Sequence, residues 1–61
     1  MMTQGEANTI SVGDTVKSMG NEVCKVIDLE FVFDSNENQV IMATLETDIR
    51  TFKTNLLMCQ K

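Results

Sequence analysis

Val23-Cys24-Lys25-Val26-Ile27-Asp28-Leu29-Glu30-Phe31-Val32-Phe33 is the stretch that decides the fold. Its apolar residues Val23, Val26, Ile27, Leu29, Phe31, Val32 and Phe33 are nearly all β-branched or aromatic, types that fit a pleated and half-buried surface. Read as a helix it would be apolar all round and uncapped, so a strand is the better reading. Its phase changes part-way. Cys24 and Val26 share one parity, whereas Ile27, Leu29, Phe31 and Phe33 share the other, with Asp28 and Glu30 between them. The inward face therefore switches near Val26-Ile27, as a β-bulge or sharp bend makes it do.

The next segment fixes a partner for this strand. Asp34-Ser35-Asn36-Glu37-Asn38 has turn composition, and Gln39–Glu46 alternates again, with Ile41, Ala43 and Leu45 inward and Thr44 and Glu46 outward. A hairpin centred on Asn36 sets Phe31 opposite Ile41, Leu29 opposite Ala43 and Ile27 opposite Leu45. Its other face then pairs Val32 with Val40, Glu30 with Met42 and Asp28 with Thr44. One register satisfies both strands.

Upstream, Thr15–Met19 is a short alternating run with Val16 inward, closed by the turn signal Gly20-Asn21. Gly13-Asp14 marks a tight turn, and the polar residues 1–9 read as a flexible tail. Downstream, Thr47-Asp48 makes a turn and Ile49–Phe52 a short strand. Lys53-Thr54-Asn55 reads as a tight or 3₁₀ turn, and Leu56–Gln60 as a last strand. The expectation is an all-β domain over residues 10–61: five strands in a small barrel, with a disordered N-terminal tail over 1–9. The predicted core is Val16, Cys24, Val26, Ile27, Leu29, Phe31, Ile41, Ala43, Leu45, Phe52 and Leu56.

Three pieces resemble the SH3-like small barrels: Ile10-Ser11-Val12-Gly13-Asp14-Thr15-Val16, then Val23–Ile27 after a glycine turn, and the close Thr51-Phe52 followed by Leu56-Leu57-Met58. KOW-type, Tudor-type and YodC-like domains share this outline, which covers about residues 10–60. The resemblance implies a fold, and fold does not fix function. The chain departs from each family. Asn21-Glu22-Val23 lacks the second glycine usual in KOW domains, and the chain is acidic where theirs is basic. Three phenylalanines, two of them assigned to the core, cannot build the aromatic cage by which Tudor-type readers hold a methylated cation. The tryptophan usual in YodC-like domains is missing.

Composition narrows the function classes. At 61 residues there is one domain, and a domain of this size buries only about 60% of its unfolded surface, which leaves no room for a core plus a deep cleft. The chain has no His, hence no Ser–His or Cys–His pair, and two Cys without His do not make a closed zinc site. Asp28 and Glu30 lie two apart on a solvated strand face and read as solubilising. Asp34, Asn36 and Asn38 copy the first half of a calcium loop, but Gln39 and Leu45 stand where its glycine and bidentate glutamate belong; a hairpin turn explains the same residues. No glycine-rich phosphate loop is present. Neither an enzyme nor a cofactor is expected. Cys24 and Cys59 read as free thiols buried as small hydrophobes. No spanning stretch and no signal peptide are visible, so the expected location is cytoplasmic.

What is left is a binding role. Val32, Val40 and Met42 fall on the outward face of the hairpin with Asp28 and Glu30, where water-facing strands normally carry polar residues. These five residues are the candidate partner-binding surface. An edge strand can also pair with a second copy, so a homodimer is compatible with the reading. The expected function is a non-enzymatic protein-binding or regulatory module. Its size and net charge of −4 suit an acidic inhibitor of a host or immune protein, encoded by a phage or other mobile element and anti-CRISPR-like in role. The alternative is a small nucleic-acid-binding barrel using Lys17, Lys25, Arg50 and Lys53. Those cations are scattered in sequence, and phosphate binding needs them gathered.

Overall fold

The computed structural model describes residues 2–61; Met1 lies outside the described residues. Four strands form one antiparallel sheet in chain order: β1 (Thr15–Lys17), β2 (Val23–Phe33), β3 (Gln39–Glu46) and β4 (Thr51–Asn55). The sheet curls into a half-barrel. A short helix, α1 (Gln4–Ala7), precedes it and a 3₁₀ turn, Leu56–Met58, follows.

The central hairpin has the register its alternation dictates. Phe31 pairs with Ile41, Leu29 with Ala43, Val32 with Val40, Glu30 with Met42 and Asp28 with Thr44. The ladder slips between Val26 and Asp28, so the bulge falls where the phase changes. One pair differs from expectation: Leu45 faces Val26, and Ile27 is the extra, unpaired residue of the bulge. Val26 is therefore fully buried, while Ile27 leaves the core and is exposed. The hairpin turn is held by Asp34, whose carboxylate accepts the Asn36 and Asn38 amides, both at 2.9 Å. Gly13 stands at φ 101, a left-handed conformation suited to glycine, and its N–H donates to the Val26 carbonyl at 2.7 Å.

The two ends of the chain differ from the sequence reading. Residues 1–9 were expected as a flexible tail, but from Met2 onward this segment is part of the fold. Thr3 and Glu6 form a reciprocal capping box at α1, in which the Thr3 N–H holds the Glu6 carboxyl below its ordinary pKa. Met2, Ala7 and Ile10 are buried, and the Met2 N–H donates to the Leu57 carbonyl at 3.2 Å. At the other end, β4 begins at Thr51 rather than Ile49 and runs through Asn55. The 3₁₀ turn accordingly lies at Leu56–Met58, capped by the Asn55 side chain, which accepts the Leu57 N–H at 2.9 Å.

Among the described residues the sheet has four strands and not the five expected. In place of the fifth, a single residue, Gln60, exchanges two backbone hydrogen bonds of 2.7 Å with Lys17. This bridge covers the outer edge of β1 and brings the C-terminus back to the start of the sheet. The core enclosed in this way is Met2, Ala7, Ile10, Val16, Cys24, Val26, Ile41, Ala43, Leu45, Leu56 and Cys59, with Leu29, Phe52 and Leu57 partly buried against it.

Candidate functional site

The β2–β3 hairpin outruns this core. β2 has eleven residues and β1 three. β1 covers only Val23–Lys25, and the Gly13 and Asp14 backbones extend that cover to Val26. Among the described residues, β3 alone lies alongside β2 beyond the bulge, so the hairpin projects from one end of an elongated molecule of 34 × 20 × 19 Å.

This projection corrects the predicted core. Phe31 shares a face with Ile41, yet Phe31 is 60% exposed and Ile41 2%. Ile41 sits on β3, which contacts the 3₁₀ turn; Phe31 lies one strand further out, beyond that cover. Phe33 is 73% exposed. The sequence reading placed both side chains on the correct face and missed that nothing covers it there. A readable sign was strand length, since the run Thr15–Met19 is less than half as long as Val23–Phe33 and cannot cover all of it. Replacing both residues, Phe31→Ser with Phe33→Ser, is accordingly expected to cost under about 1 kcal/mol, against the ~3–5 kcal/mol of one buried Phe truncated to Ala. Urea unfolding midpoints measure the difference.

The outer face of the hairpin carries the residues expected there. Val32 and Val40 are directly paired, Met42 follows on the same face, and all three are half-buried. Asp28 and Glu30 are exposed beside them, with Glu30 opposite Met42. The five predicted partner-binding residues thus share one continuous face. Lys53 of β4 reaches towards it, 3.8 Å from the Glu30 carboxylate; at this exposure such a pair adds little stability.

Charge is unevenly divided. Residues 26–46 contain Asp28, Glu30, Asp34, Glu37 and Glu46 and no Lys or Arg, so the hairpin alone is more negative than the whole chain at −4. All five cations lie outside it. Of Lys17, Lys25, Arg50 and Lys53, three stand beside a carboxylate. Arg50 bonds Glu22 at 2.7 Å and stacks 4.2 Å over the Phe52 ring. Lys25 stands opposite Glu46, Lys53 approaches Glu30, and Lys17 lies at the β1 edge beside Gln60.

Two further features lie away from the hairpin tip. An open groove of about 630 Å³ is lined by Val23, Lys25, Glu46, Asp48 and Ile49 among others, with mixed charge. Cys24 and Cys59 are free and fully buried, and burial, with Cys24 adding to it, raises the Cys59 pKa. Burial and a raised pKa make the Cys59 thiol a poor nucleophile. Among the described residues, no three His, Cys, Asp or Glu side chains assemble a metal-binding group, and no helix is long and apolar enough to cross a membrane.

Comparison with models of known protein families, with curated proteins and with solved structures finds no match to this chain.

Proposed function

We propose that the chain is a non-enzymatic protein-binding module that acts through its projecting hairpin. The observation carrying this reading is the apolar row Val32, Val40 and Met42 on the outer face of a hairpin that extends beyond its own core, flanked by Asp28 and Glu30. Half-buried apolar side chains on the outer face of the sheet, where water-facing strands normally carry polar residues, are available to a partner. An SH3-like barrel outline is part of the same proposal. A meander of strands, a 3₁₀ turn after the last of them and a C-terminal bridge back to β1 all support it. The role of acidic regulator or inhibitor rests on size and charge.

Nucleic acid is the less favoured partner. Two of the four candidate cations are engaged by carboxylates, and the projecting element carries only negative charge, which phosphates repel.

The test is Val40→Glu combined with Met42→Glu. Circular dichroism is expected to show an unchanged fold, and retention of the protein partner in pull-down is expected to be lost. Val40→Thr serves as the milder partner variant, removing apolar surface without adding charge. If either variant folds and still retains the partner, the face is not the site.

A further inference from the structure

The hairpin has an open backbone edge as well as apolar faces. The Asp34 N–H donates to Asn38 across the ladder at 3.0 Å. In an antiparallel pair the hydrogen-bonded positions alternate. Val32, Glu30 and Asp28 therefore direct their backbone groups to Val40, Met42 and Thr44, and Leu29, Phe31 and Phe33 turn theirs the other way. On that side, among the described residues, β2 has only β1 as a strand neighbour; the pairing with β1 ends at Lys25, and the Gly13 and Asp14 backbones extend it to Val26. Among the described residues, no backbone group bonds Leu29, Phe31 or Phe33 along this edge.

The side chains along the edge define what would fit it. On the core side stand Leu29, Phe31 and Phe33, the last two 60% and 73% exposed. On the outer side stand Asp28, Glu30 and Val32. A strand laid antiparallel or parallel on this edge would place every second residue against the phenylalanines and the intervening ones against two carboxylates.

We propose that the open edge of β2, residues 28–33, takes an extended polypeptide segment of another protein as an added strand, in which apolar residues alternate with Lys or Arg. This deepens the proposed function and rests on it, because it names the chemistry of the partner at the same hairpin. Charge selects a foreign segment over a second copy of this chain. Residues 26–46 hold five acids and no cation, so pairing two hairpins edge to edge brings like charges together, whereas a cationic strand neutralises them. An unpaired strand edge with exposed aromatic side chains is a template for such pairing.

The probe is a synthetic peptide alternating Lys and Val, titrated into the full chain and followed by amide NMR. Chemical-shift changes and new exchange protection are expected at Leu29, Phe31 and Phe33. The amides of Asp28, Glu30 and Val32, already bonded to β3, should change little. N-methylation of the peptide's edge-facing amides should weaken binding about tenfold or more, which corresponds to roughly 1.4 kcal/mol. Asp28→Lys with Glu30→Lys, both at exposed positions, should reverse the preference towards a peptide alternating Glu and Val. Binding that ignores N-methylation is charge attraction alone and overturns strand addition; so does the absence of binding. Concentration-dependent dimerisation of the chain through the same amides would show that a second copy is the occupant and would overturn the choice of partner. These outcomes are separable from failure of the broader reading, because Val40→Glu with Met42→Glu alters the outer face and leaves the edge amides of β2 in place.

Discussion

Removing residues 2–8 is expected to lower the unfolding free energy by about 2–4 kcal/mol, most of the stability of a domain this small. A flexible tail could be cut with no such effect. The difference arises because Met2 and Ala7 are 4% and 2% exposed and belong to the same core cluster as Leu56 and Cys59. Their loss uncovers that end of the cluster and breaks the hydrogen bond from Met2 to the Leu57 carbonyl. Met2→Ala isolates the side chain from the rest of the segment and should account for the larger share. Urea unfolding followed by circular dichroism reads both. A truncated chain with an unchanged midpoint would return residues 1–9 to the status of a tail.

Leu56→Ala is expected to be more damaging still. Leu56 is fully buried, opens the 3₁₀ turn and packs in the cluster with Ile41, Ala43 and Leu45 of β3. Truncating a buried Leu costs ~2–5 kcal/mol, and a single-core domain below about 70 residues rarely has more than ~3–5 kcal/mol in total. The variant should therefore be largely unfolded at 25 °C, with its thermal transition lost or broadened. The effect exceeds that of an equivalent change further along the hairpin because Leu56 also positions the chain that follows. The Cys59 N–H donates to the Leu56 carbonyl, and Gln60, one residue on, makes the bridge to Lys17. A cooperative transition near that of the unaltered chain would mean that the 3₁₀ turn is not part of the core.

These two expectations concern the regions where the sequence was hardest to read. The central hairpin was legible because three independent signals agreed: alternation in β2, alternation in β3, and a turn whose centre at Asn36 brought them into one register. The bulge was legible as a change of parity, although parity alone could not say whether Val26 or Ile27 would face Leu45. The exposure of Phe31 and Phe33 was not legible from periodicity, since alternation assigns a residue to a face and says nothing of what lies over that face. The ends of the chain failed for a different reason. Thr3-Gln4-Gly5-Glu6 has the spacing of a capping box, but the helix it starts is only four residues long, too short to show an apolar period. At the C-terminus, Leu56–Gln60 has strand-like composition, yet the Asn55 side chain caps a turn there and leaves one residue to pair.

Val32, Val40, Met42, Asp28 and Glu30 lie together, because cross-strand register follows directly from the turn. The open edge of β2 depends instead on how far β1 extends, a matter of three residues against eleven. The projection of the hairpin beyond the core is thus a tertiary fact, and it links the fold to the proposed activity.

Whether the projecting hairpin is the binding element is decided by amide hydrogen exchange of the chain alone and in complex with its captured protein partner. New protection is expected in residues 26–46, strongest along β2 beyond the bulge. Protection confined to the β1 side and the Thr47–Lys53 region, where Lys17, Lys25 and Arg50 lie, would contradict that role.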